Sequence, residues 1–241
     1  MSSSPPAINA PRVILWLLGA MVAVHVLRSY FELEGVVYRY FAFVPARFTP
    51  EGFDFYGGLP AAIWSWVTYN FLHGDLAHIT INGLWMLAFG SAVAWRVGTV
   101  RFLAFSAVCG ALGALTHLVM HWGEINPVIG ASATISGHMA AAIRFIFRER
   151  GALGALVGPA GRHQSAPLMT VAETFQDRRS FAFLAVWAVI NLAFGLSAVS
   201  FGGEGGSIAW EAHVGGFVAG LLLFGYFDPP RPPPRSYYHV V

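Results

Sequence analysis

Long uncharged apolar runs alternate along this chain with short polar breaks. The runs cover 13–27, 55–74, 76–95, 102–123, 125–143, 180–203 and 212–227. A helix needs about 20 mostly apolar residues to cross a bilayer. The first and last runs are short, and flanking apolar residues extend each of them to that length. The run 55–74 is different in kind. It holds a Gly-Gly pair, Pro60, Asn70, His73 and the tryptophans Trp64 and Trp66, and only Gly74-Asp75 separates it from the next run. It reads as a partly helical segment lying at the membrane interface, where Trp and Tyr are favoured. The remaining runs predict six spans, at 12–31, 76–95, 101–122, 128–147, 180–201 and 208–227. The expected fold is therefore an all-α, polytopic, six-transmembrane-helix bundle over residues 12–227. Pro-rich ends at 1–11 and 228–241 read as disordered tails. No internal repeat of fixed period is evident.

Composition agrees. Of 241 residues, 56% are hydrophobic and 11% charged, against about 25% charged in soluble domains. The mean hydropathy is +0.59. A net charge of +2, scattered along the chain, excludes nucleic-acid binding as a leading function. Cys109 is the single cysteine, so no disulfide or cysteine metal cage forms within one chain. The first apolar run lacks a small-residue cleavage site and reads as a retained span.

All basic residues are arginines, and their distribution sets an expected orientation. With the amino terminus in the cytoplasm, Arg28, Arg39 and Arg47 lie outside and the other arginines inside, as the positive-inside rule requires. A seven-span alternative, with 55–74 crossing and the amino terminus outside, scores equally. Both orient everything after residue 75 alike and imply a multi-pass protein of a bacterial inner (plasma) membrane. In the six-span scheme both termini are cytoplasmic.

Spans two, four and six then run in the same direction, so residues early in each share one depth. Strongly polar side chains are costly in lipid and face a bundle interior. Early in span two stand His78 and Asn82, four residues apart and hence on one helix face. Early in span four stands Ser132, and early in span six His213. A hydroxyl, two imidazoles and an amide at one depth suggest nucleophilic acyl transfer. Ser132 is a weak nucleophile until a base takes its proton, and His213 suits that task near neutral pH. Asn82, His78 and the Ser132 backbone N–H, at a helix start, suit stabilisation of an oxyanion. Glu211, two residues before His213, points to another side of its helix, so a dyad is expected rather than a triad. Small residues support the same meeting: Gly216 and Gly220 on span six match Ala133, Gly137 and Ala141 on span four, a pattern that allows close helix contact.

Taken alone, "GASATISG" (130–137) is a packing motif, His213 a buried histidine and the His78/Asn82 pair an interhelical hydrogen bond. Coincidence of depth on three helices favours chemistry. His25, His117, His121 and His138 read as scattered packing residues. No His-Glu-x-x-His occurs, and no Asp or Glu lies at ligand spacing from them, so neither a metal nor a cofactor is expected. His73 reads as a supporting donor, and Thr134 and Ser136 as bystanders.

"HITIN" (78–82), "GASA" (130–133) and "AHVGGFVAG" (212–220) together resemble the signature motifs of the rhomboid intramembrane serine proteases, in the same order, over about residues 60–227. The resemblance implies Ser132 as nucleophile, His213 as general base, and His78, Asn82 and the Ser132 N–H as the oxyanion hole. Gly130 belongs to the serine motif. Substrates would be transmembrane segments of other membrane proteins, met within the lipid bilayer. The Gly-rich run 201–206 would be a mobile cap. Three departures stand out: Ala133 replaces the second glycine of the Gly-x-Ser-Gly motif, Ser136 stands where many members carry an aromatic residue, and the first outer loop has no Trp-Arg pair, the one at 95–96 falling on the cytoplasmic side. A second function class is a catalytically silent rhomboid-like protein that binds transmembrane helices. Its mark is loss of the serine or histidine, and this chain keeps both. A transporter or channel would show paired charges in mid-membrane or broken helices in matched halves, and neither pattern is present in the sequence.

Overall fold

In a computed structural model that describes residues 9–147, 166–196 and 209–229, the chain is built of helices. The extended backbone pairing among these residues is an isolated antiparallel bridge of Phe43 with Val128. α1 (Arg12–Tyr30) opens directly after Pro11. The segment that follows, to which the sequence pattern assigns no span, is densely helical: α2 (Glu34–Phe41), a 3-10 turn at Pro45–Phe48 and α3 (Pro50–Phe53). Thr49 caps α3 through the Gly52 N–H at 3.2 Å, and Pro50 follows it, where a missing N–H costs nothing. The fully buried Arg47 holds this segment together. It donates to the carbonyls of Tyr56, Ala42 and Arg39 at 3.0, 2.8 and 2.7 Å. Burial lowers its pKa to about 10, opposed by Tyr56, which leaves it charged at neutral pH.

The run 55–74 is partly helical: α4 (Gly58–Thr68) follows Gly57 at φ 93°, and a 3-10 turn covers Tyr69–Phe71. α5 (Leu76–Trp85) continues through a π turn (Met86–Gly90) into α6 (Ser91–Val97), and α7 (Thr99–Met120) returns. Among the described residues three helices are long and apolar enough to cross a membrane: Arg12–Tyr30, Leu76–Val97 and Thr99–Met120. α8 (Ser132–Ile146), α9 (Val171–Gln176), α10 (Arg178–Leu196) and α11 (Trp210–Phe227) complete the described elements. The expected tails, the run 201–206 and most of the loop 151–171 lie outside the described residues, apart from Asn9–Pro11 and Asp228–Pro229 at the tail edges.

α8 begins four residues later than the apolar pattern places it. Val128 is held by the bridge to Phe43, at 3.1 and 2.8 Å, and Gly130 takes φ 109°, so the chain cannot coil before Ser132. At 1.5 Å per residue the 15-residue α8 is about 22 Å long. It does not face lipid, because every residue from Ala133 to Ile146 is buried. α8 is the central post, with α7 and α11 packed along it and along each other.

The outer helices have the opposite character. Trp16 on α1, Ile63 on α4, Val100 on α7 and Tyr226 on α11 are large, apolar and exposed, at 79%, 65%, 81% and 87%. Such a surface is unstable in water and suits lipid; this is an integral membrane protein. Close contact of α8 with α11 depends on missing side chains. A Cβ on Gly216 would fall on the Ala133 carbonyl, and one on Gly220 on the Gly137 carbonyl. At the far end of these helices Arg144 donates to the carbonyls of Met169 and Leu221 at 2.9 and 3.0 Å, and Arg96 forks onto Asp228 at 2.8 and 2.7 Å.

Candidate active site

The site lies where α5, α8 and α11 begin. Asp75 caps α5 by accepting the His78 N–H at 2.7 Å, which fixes the start of the helix and the position of His78 in its first turn. The His78 Nδ1 accepts the Gly74 N–H at 3.4 Å. That leaves the proton on Nε2. Asn82, one turn on and buried, donates one amide hydrogen to the His78 carbonyl at 3.1 Å. Both side chains face Gly130: a Cβ there would lie 2.6 Å from the His78 Nε2 and 3.8 Å from the Asn82 Nδ2. The missing side chain of Gly130 thus leaves a small space bordered by two N–H donors, two residues before Ser132.

Ser132 is the first residue of α8, where backbone N–H groups lack helical partners. Its half-buried Oγ lies 2.7 Å from the His213 Nε2. The His213 Nδ1 lies 2.9 Å from Oδ1 of Asn191 on α10. The amide orientation follows from its other contact, since the Asn191 Nδ2 donates to the Trp187 carbonyl at 3.1 Å. An amide oxygen only accepts, so His213 carries its proton on Nδ1 and offers the lone pair of Nε2 to the Ser132 hydroxyl. Trp187 in turn stacks on Phe217 of α11 at 3.9 Å, which seats α10 beside His213.

His73 supports the serine loop from below. It is fully buried, and its Nε2 accepts the Ala131 N–H at 3.5 Å. Burial lowers its pKa to about 3, aided by His78 and partly offset by the Phe71 carbonyl, so it is neutral at working pH. Its own carbonyl accepts from Arg28 at 2.8 Å.

All four expected site residues, Ser132, His213, His78 and Asn82, are therefore gathered in one place. Gly130 borders it, and Ala133, Gly137, Gly216 and Gly220 line the helix contact behind it. Thr134 turns away, donating to the Asn70 Oδ1 at 2.7 Å, and Glu211 is engaged elsewhere, 2.9 Å from the His117 Nδ1. Asn191 is the residue the sequence pattern does not reveal. Its signal is a lone carboxamide in the otherwise apolar run 180–203, with nothing to say which helix it faces.

A family model for the Rhomboid domain matches residues 60–228. The chain belongs to the rhomboid family. The matched segment of this rhomboid contains Ser132, His213, His78, Asn82, Gly130, His73 and Asn191. Among curated relatives, the rhomboid is similar to Rhomboid protease GlpG of Yersinia pestis (strain Pestoides F), 28% identical over 162 residues that cover 67% of this chain and 47% of that protein. The same figures hold for Rhomboid protease GlpG of Yersinia pseudotuberculosis serotype O:3 (strain YPIII). Rhomboid-like protease 3 of Toxoplasma gondii is 24% identical over 231 residues, covering 92% of this rhomboid and 72% of that protein. The rhomboid spans about half the length of the GlpG proteins it matches.

Proposed function

We propose that this rhomboid is an intramembrane serine endopeptidase that cleaves peptide bonds in or near transmembrane segments of other membrane proteins. The observation that carries the reading is the 2.7 Å contact of the Ser132 Oγ with the His213 Nε2, on a ring whose other nitrogen is held by Asn191. His213 takes the Ser132 proton as Oγ attacks the scissile carbonyl carbon. The carbonyl oxygen becomes an oxyanion, which the His78 Nε2–H, the free Asn82 N–H and the Ser132 backbone N–H stabilise. On collapse, His213 gives the proton to the leaving amine. Water, activated by the same imidazole, then hydrolyses the acyl-serine and restores the hydroxyl. The three relatives named as proteases lend support at the level of the family.

The proposal includes six spans, with α1, Leu76–Val97, α7, α8, α10 and α11 as the crossing helices. The site sits at the outer face, and both termini are in the cytoplasm of a bacterial cell. The protease domain covers 12–227, with tails at 1–11 and 228–241.

The test is incubation of the purified protein in liposomes with a fluorogenic transmembrane segment. Wild type is expected to cut it, and Ser132→Ala and His213→Ala to leave it whole. Cleavage that persists in Ser132→Ala overturns the nucleophile. A folded wild type that binds the segment, never cuts it and resists a fluorophosphonate probe is instead a silent helix-binding rhomboid.

A further inference from the structure

Outside the proposed catalytic centre, His117 and His121 on the last turn and cap of α7 meet Glu211 on the first turn of α11. The His117 Nδ1 lies 2.9 Å and the His121 Nε2 2.5 Å from the same Glu211 Oε1. One potential ligand atom from each residue falls within 4.8 Å of the others. The rings of His117 and His121 stack at 4.3 Å, as an i, i+4 pair on one helix face allows. We propose that these three residues bind one divalent transition-metal ion of the zinc class, which bridges α7 to α11.

Three features favour a metal over a plain hydrogen-bonded cluster. First, both imidazoles crowd onto one carboxylate oxygen, while the Glu211 Oε2 and the His117 Nε2 are buried without a hydrogen-bond partner. An unmatched carboxylate oxygen is costly to bury. A cation at the centre, bound by the His117 Nδ1, draws on both carboxylate oxygens and removes the mismatch at Glu211, though not at the His117 Nε2. Second, two imidazoles and one carboxylate form a donor set suited to zinc. Zinc holds such ligands about 3.3 Å apart, given bonds of about 2.0–2.1 Å, so the 2.9 and 2.5 Å contacts open by about 0.4 and 0.8 Å to admit the ion. Third, the His121 Nδ1, buried without a hydrogen-bond partner, lies 3.0 Å from the Glu124 Oε1, close enough for a small turn of the ring to pair them. A carboxylate on the far nitrogen of a ligating histidine is the usual outer support of a metal site. Glu211 and His117 side chains are nearly buried, at 4% and 8% exposure, whereas His121 is 30% exposed, which provides an entry path and room for a water as fourth ligand. No acid stands at ligand spacing from these histidines in the sequence. The acid is on the right helix face, but in a different helix, 94 residues from His117.

The purified protein in detergent is stripped with EDTA and titrated with Zn²⁺ against a chromophoric chelator. Binding of one Zn²⁺ per chain is expected, with a rise in unfolding temperature and visible d–d absorption when Co²⁺ replaces Zn²⁺. His117→Gln, His121→Asn and Glu211→Gln, each checked for monodispersity, are each expected to weaken binding at least tenfold and to abolish the thermal shift. Ser132→Ala is expected to bind as wild type does, so failure of the protease reading leaves this test intact. Absence of Zn²⁺ binding by folded wild type overturns the proposal, as does Zn²⁺ binding that survives both His117→Gln and Glu211→Gln. If one variant misfolds, the Co²⁺ spectrum of wild type decides, since nitrogen ligation by imidazole alters it and an oxygen-only site does not.

Discussion

The two nitrogens of His213 do different work. One meets the Ser132 hydroxyl and the other the Asn191 oxygen. The second contact selects the tautomer, and it strengthens as the ring gains charge. Losing a hydrogen bond to a charged group costs roughly 1.5–3 kcal/mol. Asn191→Ala is therefore expected to lower kcat about 10- to 100-fold, with KM and unfolding temperature nearly unchanged; steady-state kinetics on the reporter segment check this. Asn191→Asp, which keeps an acceptor, should recover part of the rate. Asn82→Ala removes one proposed oxyanion donor and should lower kcat by about 10²–10³. An unaltered rate argues against its role. Ser132, His213, His78 and Asn82 stand out in the bare sequence because strongly polar groups in apolar runs need a reason. Asn191 is equally polar, but one residue in one span does not name its partner.

At the scale of helices, shape decides as much as polarity. Gly216 lies against the Ala133 carbonyl, so Gly216→Val must push α11 off α8 and lengthen the Ser132–His213 contact. Loss of activity is expected together with a destabilisation of about 1–3 kcal/mol, measured by denaturant titration in detergent. Gly130→Ala differs. It strains a residue at φ 109° and fills the space between the His78 and Asn82 donors, so activity should fall further than stability. Asp75→Ala removes the α5 cap, with an expected loss of about 1 kcal/mol and looser placement of His78. The apolar runs foretell these helices well in the middle and less well at their ends. The late start of α8 depends on the Phe43–Val128 bridge, a contact between segments far apart in the chain. The short helices between α1 and α4 depend on Arg47 reaching three carbonyls, which no periodicity displays.

For the whole molecule, the proposed topology makes a prediction of its own. In a Cys109→Ala background, Thr99→Cys, at the α6–α7 turn, should react with a membrane-impermeant maleimide only from the cytoplasmic side. Asn126→Cys, beyond the end of α7, should react only from the outside. The reverse pattern overturns the orientation, and labelling of both from one side overturns the crossing of α7. The amino-acid sequence by itself determined that this chain lives in lipid, which of its runs are helical and which polar residues demand an explanation, because transfer free energies and helix periodicity are local properties. Only the tertiary structure decided that Asn191 faces His213, that Glu211 joins two histidines of α7, and that the absent side chain of Gly130 opens a space beside two N–H donors. Those facts depend on which faces of distant helices meet, and close packing settles that for the bundle as a whole.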